Sequence, residues 1–400
     1  MTAKTPLSRG ELVVLLAMMT STVALSIDAM LPVLPQIGEA ISPDAVHRAP
    51  LIIAAFVIGM GVGTFFTGPL SDAFGRKPVA AGGAALYIVA ALVCALSPTL
   101  ETMLIARAVQ GLGAAGPRVV AIALVRDLFK GREMAKTVSL VMIIFMLVPI
   151  LAPSMGAAIA WGFGWRAIFY SFAIFSIIST TWLLMRQPET LPVENRRPFR
   201  AKLLAQGLKE VFSHRQVVLG MTVQTLVFAV LFATLMSTQA IFDQIFGYAE
   251  SFPLWFGLIA LISAAAPLLN SVIVMRLGMR EVVKWALVVQ ALASVLFLAM
   301  VISLAPAAPG MFAATFAWLT LIFFMAGLCI GNASAIALEP MGHMSGLAAS
   351  VVTAMSTLVS ALMAAPVAQL FDGTLQPLTL GVLIFSLLGL AAILAVPRGT

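Results

Sequence analysis

The chain has 400 residues, of which 61% are hydrophobic and only 10% are charged, with a formal net charge of +7. A water-soluble domain carries about 25% charged residues and much less apolar content, so a globular domain in water is excluded. The composition indicates a chain that buries its apolar surface in a bilayer, where only helices and closed barrels satisfy the backbone.

Long apolar runs without period-2 alternation predict membrane-spanning helices rather than barrel strands. The first run is too long for the apolar region of a secretory signal, and no small-residue cleavage pattern ends it, so we interpret it as a span. Twelve runs are predicted to span, near residues 11–33, 50–70, 79–97, 101–122, 138–160, 166–186, 217–240, 253–274, 282–302, 311–335, 346–367 and 376–396.

Basic residues outside the spans fall almost entirely on one predicted side of the membrane. The outer segments hold only Arg48 and Arg166. This asymmetry predicts that both termini are cytoplasmic. It also accounts for the positive net charge, which would attract anionic lipid headgroups, and nucleic-acid binding is not expected. The inner basic residues are Lys4, Arg9, Arg76, Lys77, Arg126, Lys130, Arg132, Lys136, Arg186, Arg196, Arg197, Arg200, Lys202, Lys209, Arg215, Arg276, Arg280, Lys284 and Arg398.

The longest polar stretch lies almost at mid-chain and divides the spans into two sets of six. We predict an N-terminal six-helix bundle over residues 1–187, a cytoplasmic linker over 188–216 and a C-terminal six-helix bundle over 217–400. Segment 276–280 is a weak echo of segment 73–77, which supports an internal duplication, although the second copy has no acidic residue at the position of Asp72. Parallel halves of this kind are known among transporters.

A short charged turn, punctuated by glycines, separates the second and third spans. Its notable residues are Gly68, Asp72, Gly75, Arg76 and Lys77. The turn resembles the loop between helices two and three of the major facilitator superfamily. The resemblance implies that Asp72 bonds across to the second half and holds the outward-facing state, and Arg126 is a candidate charge partner. The alternative is a solvated turn that only fixes topology.

Three ionisable side chains lie deep within predicted spans: Asp28, Arg107 and Arg118. A charge at mid-bilayer is costly, so it normally faces a cavity or a partner. A rise of 1.5 Å per residue places Asp28 and Arg107 at comparable depth. A protonatable carboxylate and a fixed guanidinium are candidates for proton coupling, and the sequence leaves open whether they touch. The alternative for Asp28 is a helix-end cap, near Pro32 and Pro35, that reaches water.

Arg107, Gln110 and Gly111 resemble the R-x-x-Q-G pattern of the superfamily's fourth helix, which the resemblance links to proton-coupled members. Arg107 and Arg118 share one helix face because eleven residues are close to three full turns. Arg118 either lines the inner mouth of a cavity or reaches the inner interface beside Arg126. Both interpretations stay open.

The fifth span contains Pro149, Pro153 and Gly156. This pattern resembles the antiporter motif of drug exporters in the form found in the Bcr/CflA branch, associated with bicyclomycin and chloramphenicol resistance. Two prolines free backbone carbonyls and bend a helix, which suits a moving interface; a static kink is the alternative. Segments 25–35, 125–129 and 331–350 resemble the same branch.

Spans one, four, five, seven and ten are expected to wall a substrate cavity. Methionine and phenylalanine surfaces adapt to varied apolar ligands. The candidate cavity residues are Gln110, Arg118, Met142, Phe145, Met146, Gln224, Gln239, Phe242 and Asn332.

The sequence therefore predicts an all-α integral membrane protein with twelve spans in two pseudo-symmetric bundles. We expect a monomer that exports small amphipathic compounds or drugs across the bacterial inner membrane, driven by the proton gradient without a cofactor or metal. No nucleophile, phosphate loop or metal cluster indicates an enzyme. The alternatives are a proton-coupled importer or exporter of a metabolite such as a sugar or amino acid, and a non-transporting receptor or assembly factor.

Overall fold

A computed structural model describes residues 7–196, 201–305 and 308–397. Within these ranges, twelve helices are long and apolar enough to cross a membrane, and each overlaps one of the predicted runs. We number them spans 1 to 12: Arg9–Ile41, Leu51–Phe74, Arg76–Leu96, Leu100–Leu128, Gly131–Phe163, Arg166–Arg186, Arg215–Ile245, Phe252–Leu277, Met279–Ser303, Met311–Gly342, Gly346–Gln369 and Gln376–Ala395.

We call the end of the bundle that holds the Lys/Arg-rich loops the basic side. Its predicted orientation toward the cytoplasm stays a prediction, as do the bundle boundaries. Four of the basic residues used for that prediction lie outside the described residues: Lys4, Arg197, Arg200 and Arg398. The side chains of Lys202, His343 and Ser345 also lie outside what the structure describes.

Span 1 is interrupted just after its midpoint. Its first α-helix ends at Asp28, a 3₁₀ turn covers Leu31–Val33, and a second helix runs over Leu34–Ile41. Pro32 and Pro35 lack a backbone N–H, so the regular helical hydrogen bonds are not continued through this segment. The interruption leaves Asp28 at a helix end deep inside the bundle.

Spans 4 and 5 extend farther toward the basic side than predicted. The expected ends at residues 122 and 138 are wrong, because the helices continue to Leu128 and begin at Gly131. Charged residues in these turns, such as Arg126 and Lys136, lower the hydropathy and so mark the edge of the apolar run. They do not break the helix, because helical backbone groups stay hydrogen-bonded in water as well.

The segment predicted to link the halves contains a 3₁₀ turn at Val193–Asn195 and a helix at Ala201–Ser213. Val211 of this helix is buried in a cluster with Val217, Met341 and Val351. The connecting helix therefore packs against the basic-side ends of the second half.

The two halves contact each other closely along spans 2 and 11. A Cβ atom on Gly61 would lie 2.9 Å from the backbone nitrogen of Leu358. A Cβ on Gly68 would lie 2.6 Å from Oγ of Ser350. Small residues at these positions allow the two helix backbones to approach. Gly68, singled out in the turn motif, therefore lies at the contact between the halves.

Spans 5 and 8 form a second contact, and it lies away from the basic side. A Cβ on Gly257 would lie 3.0 Å from the carbonyl oxygen of Ile150. The basic-side part of span 8, Ala265–Leu277, buries only Ala266, and Met142 of span 5 is 41% exposed. Spans 5 and 8 therefore diverge toward the basic side, which opens the space between the halves there.

Candidate functional site

Arg107 is fully buried, and each nitrogen of its guanidinium has a partner. Its Nε donates to the carbonyl oxygen of Ile52 at 3.3 Å, Nη2 to the carbonyl of Ser26 at 3.1 Å, and Nη1 to Oε1 of Gln110 at 2.7 Å. The group also lies 4.3 Å from the ring centroid of Phe56, within cation–π range. Arg107 is a fixed cation that joins spans 1, 2 and 4.

Asp28 is also buried, but it has the opposite surroundings. Its side chain is 5% exposed, and no hydrogen-bond donor reaches its carboxyl group within residues 7–196, 201–305 and 308–397. Arg107 donates to the backbone carbonyl of Ser26, two residues before Asp28. Arg107 and Asp28 form no ion pair with each other. Asp28 does end a helix, but its carboxyl group accepts no backbone N–H bond of the kind that a helix cap makes.

An ionised carboxylate without a partner is costly in a site that excludes water. A protonated carboxyl group is tolerated far better there, because it carries no net charge. The stability of Asp28 in this position therefore depends on whether it holds a proton. This property suits a group that takes up and releases H⁺ as its access to water changes.

Span 5 closes the site around Asp28. A Cβ atom on Gly156 would lie 1.8 Å from the carbonyl oxygen of Ala29, the residue that follows Asp28. Only glycine permits this approach of the two backbones. The helix Gly131–Phe163 continues through Pro149 and Pro153, so both prolines lie within a continuous span. The motif of span 5 thus places a helix wall directly beside the carboxyl-bearing turn.

Gln110 holds Arg107 and does not line an open cavity, so the prediction for it was wrong. It is fully buried, its Oε1 accepts from Arg107, and its Nε2 has no partner. Ser26, whose carbonyl Arg107 also binds, shares a 2.5 Å hydrogen bond between its Oγ and the hydroxyl of Tyr87. Spans 1, 3 and 4 are therefore joined by one buried polar network around Arg107.

A second polar cluster lies on the basic side, at the turn between spans 2 and 3. Nη1 of Arg76 donates to Oδ1 of Asp72 at 2.6 Å, and its Nε donates to Oδ2 of Asp127 at 2.9 Å. The candidate pairing of Asp72 with Arg126 is not formed, because the carboxylate of Asp72 bonds to Arg76 instead. The turn at Gly75, whose φ is 100°, brings Arg76 at the start of span 3 back onto Asp72 at the end of span 2, so these charges are satisfied within the first half.

Glu189, just after span 6, completes this cluster. Its carboxylate accepts backbone N–H bonds of 3.0 to 3.1 Å from four residues: Arg76, Lys77, Thr190 and Leu191. Burial raises the pKa of Glu189, but these donors together outweigh burial and leave the pKa below its ordinary value. Two of the donors open the helix of span 3, where a negative charge is favoured.

The candidate cavity residues of span 5 lie on one helix face. Ile150 contacts span 8 and Gly156 contacts span 1, and the face between these directions holds Met142 and Met146. Met142 is exposed, whereas Phe145 and Met146 are half-buried. The side chain of Arg118 is half-buried, and its Nη1 lies 3.3 Å from the sulfur of Met60. It does not extend to the interface beside Arg126.

Two of the candidates in the second half hold that half together. Phe242 is fully buried among aromatic rings, with centroids 5.5 Å from Phe252 and 5.7 Å from Phe312. Nδ2 of Asn332 donates to Oδ1 of Asn270 at 2.7 Å, which joins spans 10 and 8. The prediction that these two residues line a cavity was wrong, because large rings and amides at helix contacts are consumed by packing and bonding.

Gln239 and Gln224 are nearly buried as well. Nε2 of Gln239 approaches Oδ2 of Asp243 at 3.4 Å, at a π-helical turn that ends span 7. Gln224 has a buried Oε1 atom without a partner. Of these two, only Gln224 has a fully buried side-chain atom without a hydrogen-bond partner.

Several site residues were not found from the sequence. Tyr87 and Phe56 surround Arg107, and Glu189 and Asp127 complete the basic-side cluster. Tyr87 gave one weak signal, as one of only 3 tyrosines in the chain. Glu189 gave none, because its role depends on a loop folding back onto the start of a distant helix.

Similarity to known proteins identifies the family of this chain. A model of the Major Facilitator Superfamily matches residues 15–365. The chain belongs to this superfamily. A bicyclomycin resistance protein homolog from Haemophilus influenzae is 30% identical over 361 residues, covering 88% of this chain and 87% of that protein. Multidrug resistance protein MdtL from Shigella dysenteriae is 32% identical over 222 residues, or 56% of each chain.

Among solved structures, a D-xylose-proton symporter superposes with a TM-score of 0.74 at 15% identity, covering 96% of each chain. At this identity the likeness concerns the fold alone. Membership in the superfamily confirms the twelve-span fold in two pseudo-symmetric bundles, a multi-pass membrane protein, and a transporter of small molecules rather than an enzyme. The relatives support the resemblance to the Bcr/CflA branch.

Proposed function

We propose that this superfamily member exports small amphipathic compounds, including drugs, in exchange for protons. The resistance proteins among its relatives support the class of substrate. The observation that carries the coupling is Asp28, a buried carboxyl group without a hydrogen-bond partner, two residues along span 1 from the Ser26 carbonyl that Arg107 binds. No cofactor is needed, because the proton gradient supplies the energy.

The proposed cycle alternates access to Asp28 from the two sides of the membrane. Asp28 takes a proton when the bundle opens away from the basic side, and releases it when water reaches it from the basic side. Arg107 stays in place through its bonds to Ser26 and Ile52, so the change in charge occurs at one group. In the proposed cycle the contact of spans 2 and 11 at Gly61 and Gly68 persists, and spans 5 and 8 approach and separate on the basic side as the two bundles rock.

This proposal places the basic side in the cytoplasm and the protein in a bacterial inner membrane, acting as a monomer. One proton moving inward across about 150 mV releases roughly 3.5 kcal/mol. That energy supports a substrate gradient of about 300-fold, because each 1.4 kcal/mol corresponds to a factor of ten. A gradient of this size is sufficient for resistance.

The test is Asp28→Asn in proteoliposomes that enclose a pH-sensitive dye. Asparagine mimics the neutral form, so the variant should fold while losing substrate-driven proton movement. Bicyclomycin and chloramphenicol are the first substrates to try, with sugars and amino acids in parallel. Asp243→Asn is the matched control, since Asp243 lies at the far end of span 7 and touches Gln239.

We expect Asp243→Asn to move protons like the parent protein, whereas Asp28→Asn moves none. Normal proton movement by Asp28→Asn would reject the coupling assignment. Counterflow of a sugar or amino acid without any response to amphipathic drugs would instead reject the export of drugs.

A further inference from the structure

Arg118, the second deep arginine of span 4, has almost no partners. Its Nη1 lies 3.3 Å from the sulfur of Met60, which is a weak acceptor. Across residues 7–196, 201–305 and 308–397, no oxygen atom accepts from it and no carboxylate pairs with it. A full positive charge with one sulfur contact is costly inside a membrane, so another group is expected to complete it.

Met60 shows which way the Arg118 side chain points. Consecutive residues of an α-helix are rotated by about 100° from each other. Gly59 of span 2 packs against span 4, and Gly61 packs against span 11 in the other half. Met60 lies between these two contacts, so it faces the space bordered by spans 2, 4, 7 and 11. We call this space the seam.

The helices around the seam provide no acid at this depth. Span 11 contains no charged residue at all. Asp28, on span 1, lies about 28 Å from the start of its helix, whereas Arg118 lies about 15 Å from the basic-side end of span 4. The acidic residues of spans 2, 4 and 7 all lie near helix ends: Asp72, Glu101, Asp127 and Asp243.

A second unpartnered polar group lies at similar depth across the seam. Gln224 is nine residues from Arg215, the basic-side end of span 7, or about 14 Å along the helix. It lies one turn beyond Gly220, which packs against span 10, and Met221, whose carbonyl binds span 11. Span 7 contacts spans 2 and 11, and the buried Oε1 of Gln224 has no partner.

We infer that Arg118 binds an acidic group of the transported compound, so that the preferred substrates are amphipathic anions such as aryl carboxylates. This inference rests on the proposed export function and names its substrate class. A guanidinium binds a carboxylate through two parallel hydrogen bonds, which would supply the missing partner. Oε1 of Gln224 is an acceptor for a donor group elsewhere on the compound, and the half-buried Met146 offers adaptable apolar surface to the rest of the molecule.

The test compares two fluorescent probes that share one apolar body, 1-pyrenebutanoate and its neutral alcohol 1-pyrenebutanol. Their binding to the purified full-length carrier is followed by energy transfer from its 6 tryptophans, with empty micelles subtracted. The parent protein should bind the carboxylate about tenfold more tightly than the alcohol, as one charge-assisted contact implies. Arg118→Gln should bind both equally, and Arg118→Lys should retain part of the preference.

Thermal unfolding checks that the Arg118→Gln variant is folded. If that variant does not fold, the partial preference expected of Arg118→Lys still tests the inference. Equal affinity of the parent protein for the two probes overturns the inference. The inference is also overturned if Arg118→Gln lowers the affinity for the carboxylate and for the alcohol to the same extent. If the inference is overturned in either way but neutral drugs still drive proton movement, the proposed export function is retained without it. If no compound drives proton movement, the export function fails whatever the probes show.

Discussion

The first half of the molecule contains two carboxylates with opposite environments. Glu189, on the basic side, accepts four backbone N–H bonds, which lower its pKa against the effect of burial. Asp28, inside the membrane region, accepts none from any residue that the structure describes. A carboxylate surrounded by donors is stabilised in its charged form, and one without donors is not. The first therefore serves as a structural anchor, and the second is available for chemistry.

The arginines of span 4 show the same division. Arg107 is bound by two backbone carbonyls, an amide and an aromatic ring, whereas Arg118 contacts one sulfur atom. A buried charge with every partner in place contributes to a rigid structure. A buried charge without partners is a place where a proton or a substrate can bind. Satisfaction of hydrogen bonds thus separates structural charges from functional ones in this bundle.

The strongest test of this division is the replacement of Arg107 by alanine. The change removes the guanidinium donors from three buried acceptors, the carbonyls of Ser26 and Ile52 and Oε1 of Gln110. We expect it to destabilise the protein by about 3 kcal/mol or more, and transport should be lost with the structure. Thermal unfolding in detergent measures the effect.

Two variants serve as comparisons for Arg107→Ala. Arg166→Ala removes a basic residue that only lies 4.2 Å from the ring centroid of Trp165, and should leave the unfolding temperature nearly unchanged. Asp28→Asn should also have nearly the same unfolding temperature as the parent, because the change removes no hydrogen bond. An Arg107→Ala protein as stable as the parent would show that the polar network is not structural.

The next largest effect concerns the helix wall beside Asp28. Gly156→Ala places a methyl group where the Ala29 carbonyl oxygen now lies, since the ideal Cβ position is 1.8 Å from it. Span 5 must move away from span 1, which admits water to the carboxyl group. We expect substrate-driven proton movement to fall by about tenfold or more while the protein stays folded.

Gly162→Ala is the matched control for Gly156→Ala. It lies in the same helix, and its new Cβ would have no atom within 4 Å. Alanine favours a helix more than glycine does, so this variant should be slightly more stable and fully active. Equal activity of the two variants would mean that close contact at Gly156 is not needed to keep Asp28 dry.

The sequence predicted the spans and the deep charges because both depend on local composition. An apolar run of about 20 residues identifies a span wherever it packs, and a charge within such a run is visible by eye. It did not predict the partners of these charges. The bonds of Arg107 to Ser26 and Ile52 depend on which helices become neighbours, and carbonyl acceptors leave no mark in the sequence.

The wrong predictions share a physical cause. Phe242 and Asn332 have the residue types of a binding cavity, but aromatic rings and amides also join helices in a membrane bundle. Arg126 lies next to Asp127 in the sequence, and the helix turns Asp127 toward Arg76 while Arg126 faces outward. One residue of helix rotation, about 100°, decides which of the two neighbours joins the cluster.

The smallest effect tests the other carboxylate, Glu189. Its pKa is lowered in the folded protein, so its stabilising contribution is complete above the ordinary value of 4.5 and is lost as the pH falls through the lower folded value. At neutral pH, Glu189→Gln should therefore have a free energy of unfolding about 0.5–1 kcal/mol lower than the parent, and it should unfold at a lower temperature. The expected loss is small because the carboxylate is partly exposed. The difference should disappear in acid well below 4.5. Glu194→Gln, an exposed residue of the same segment, should show no difference at any pH. A deficit of Glu189→Gln that persists unchanged in acid would mean that shape, rather than the charged carboxylate and its donors, holds this loop against span 3.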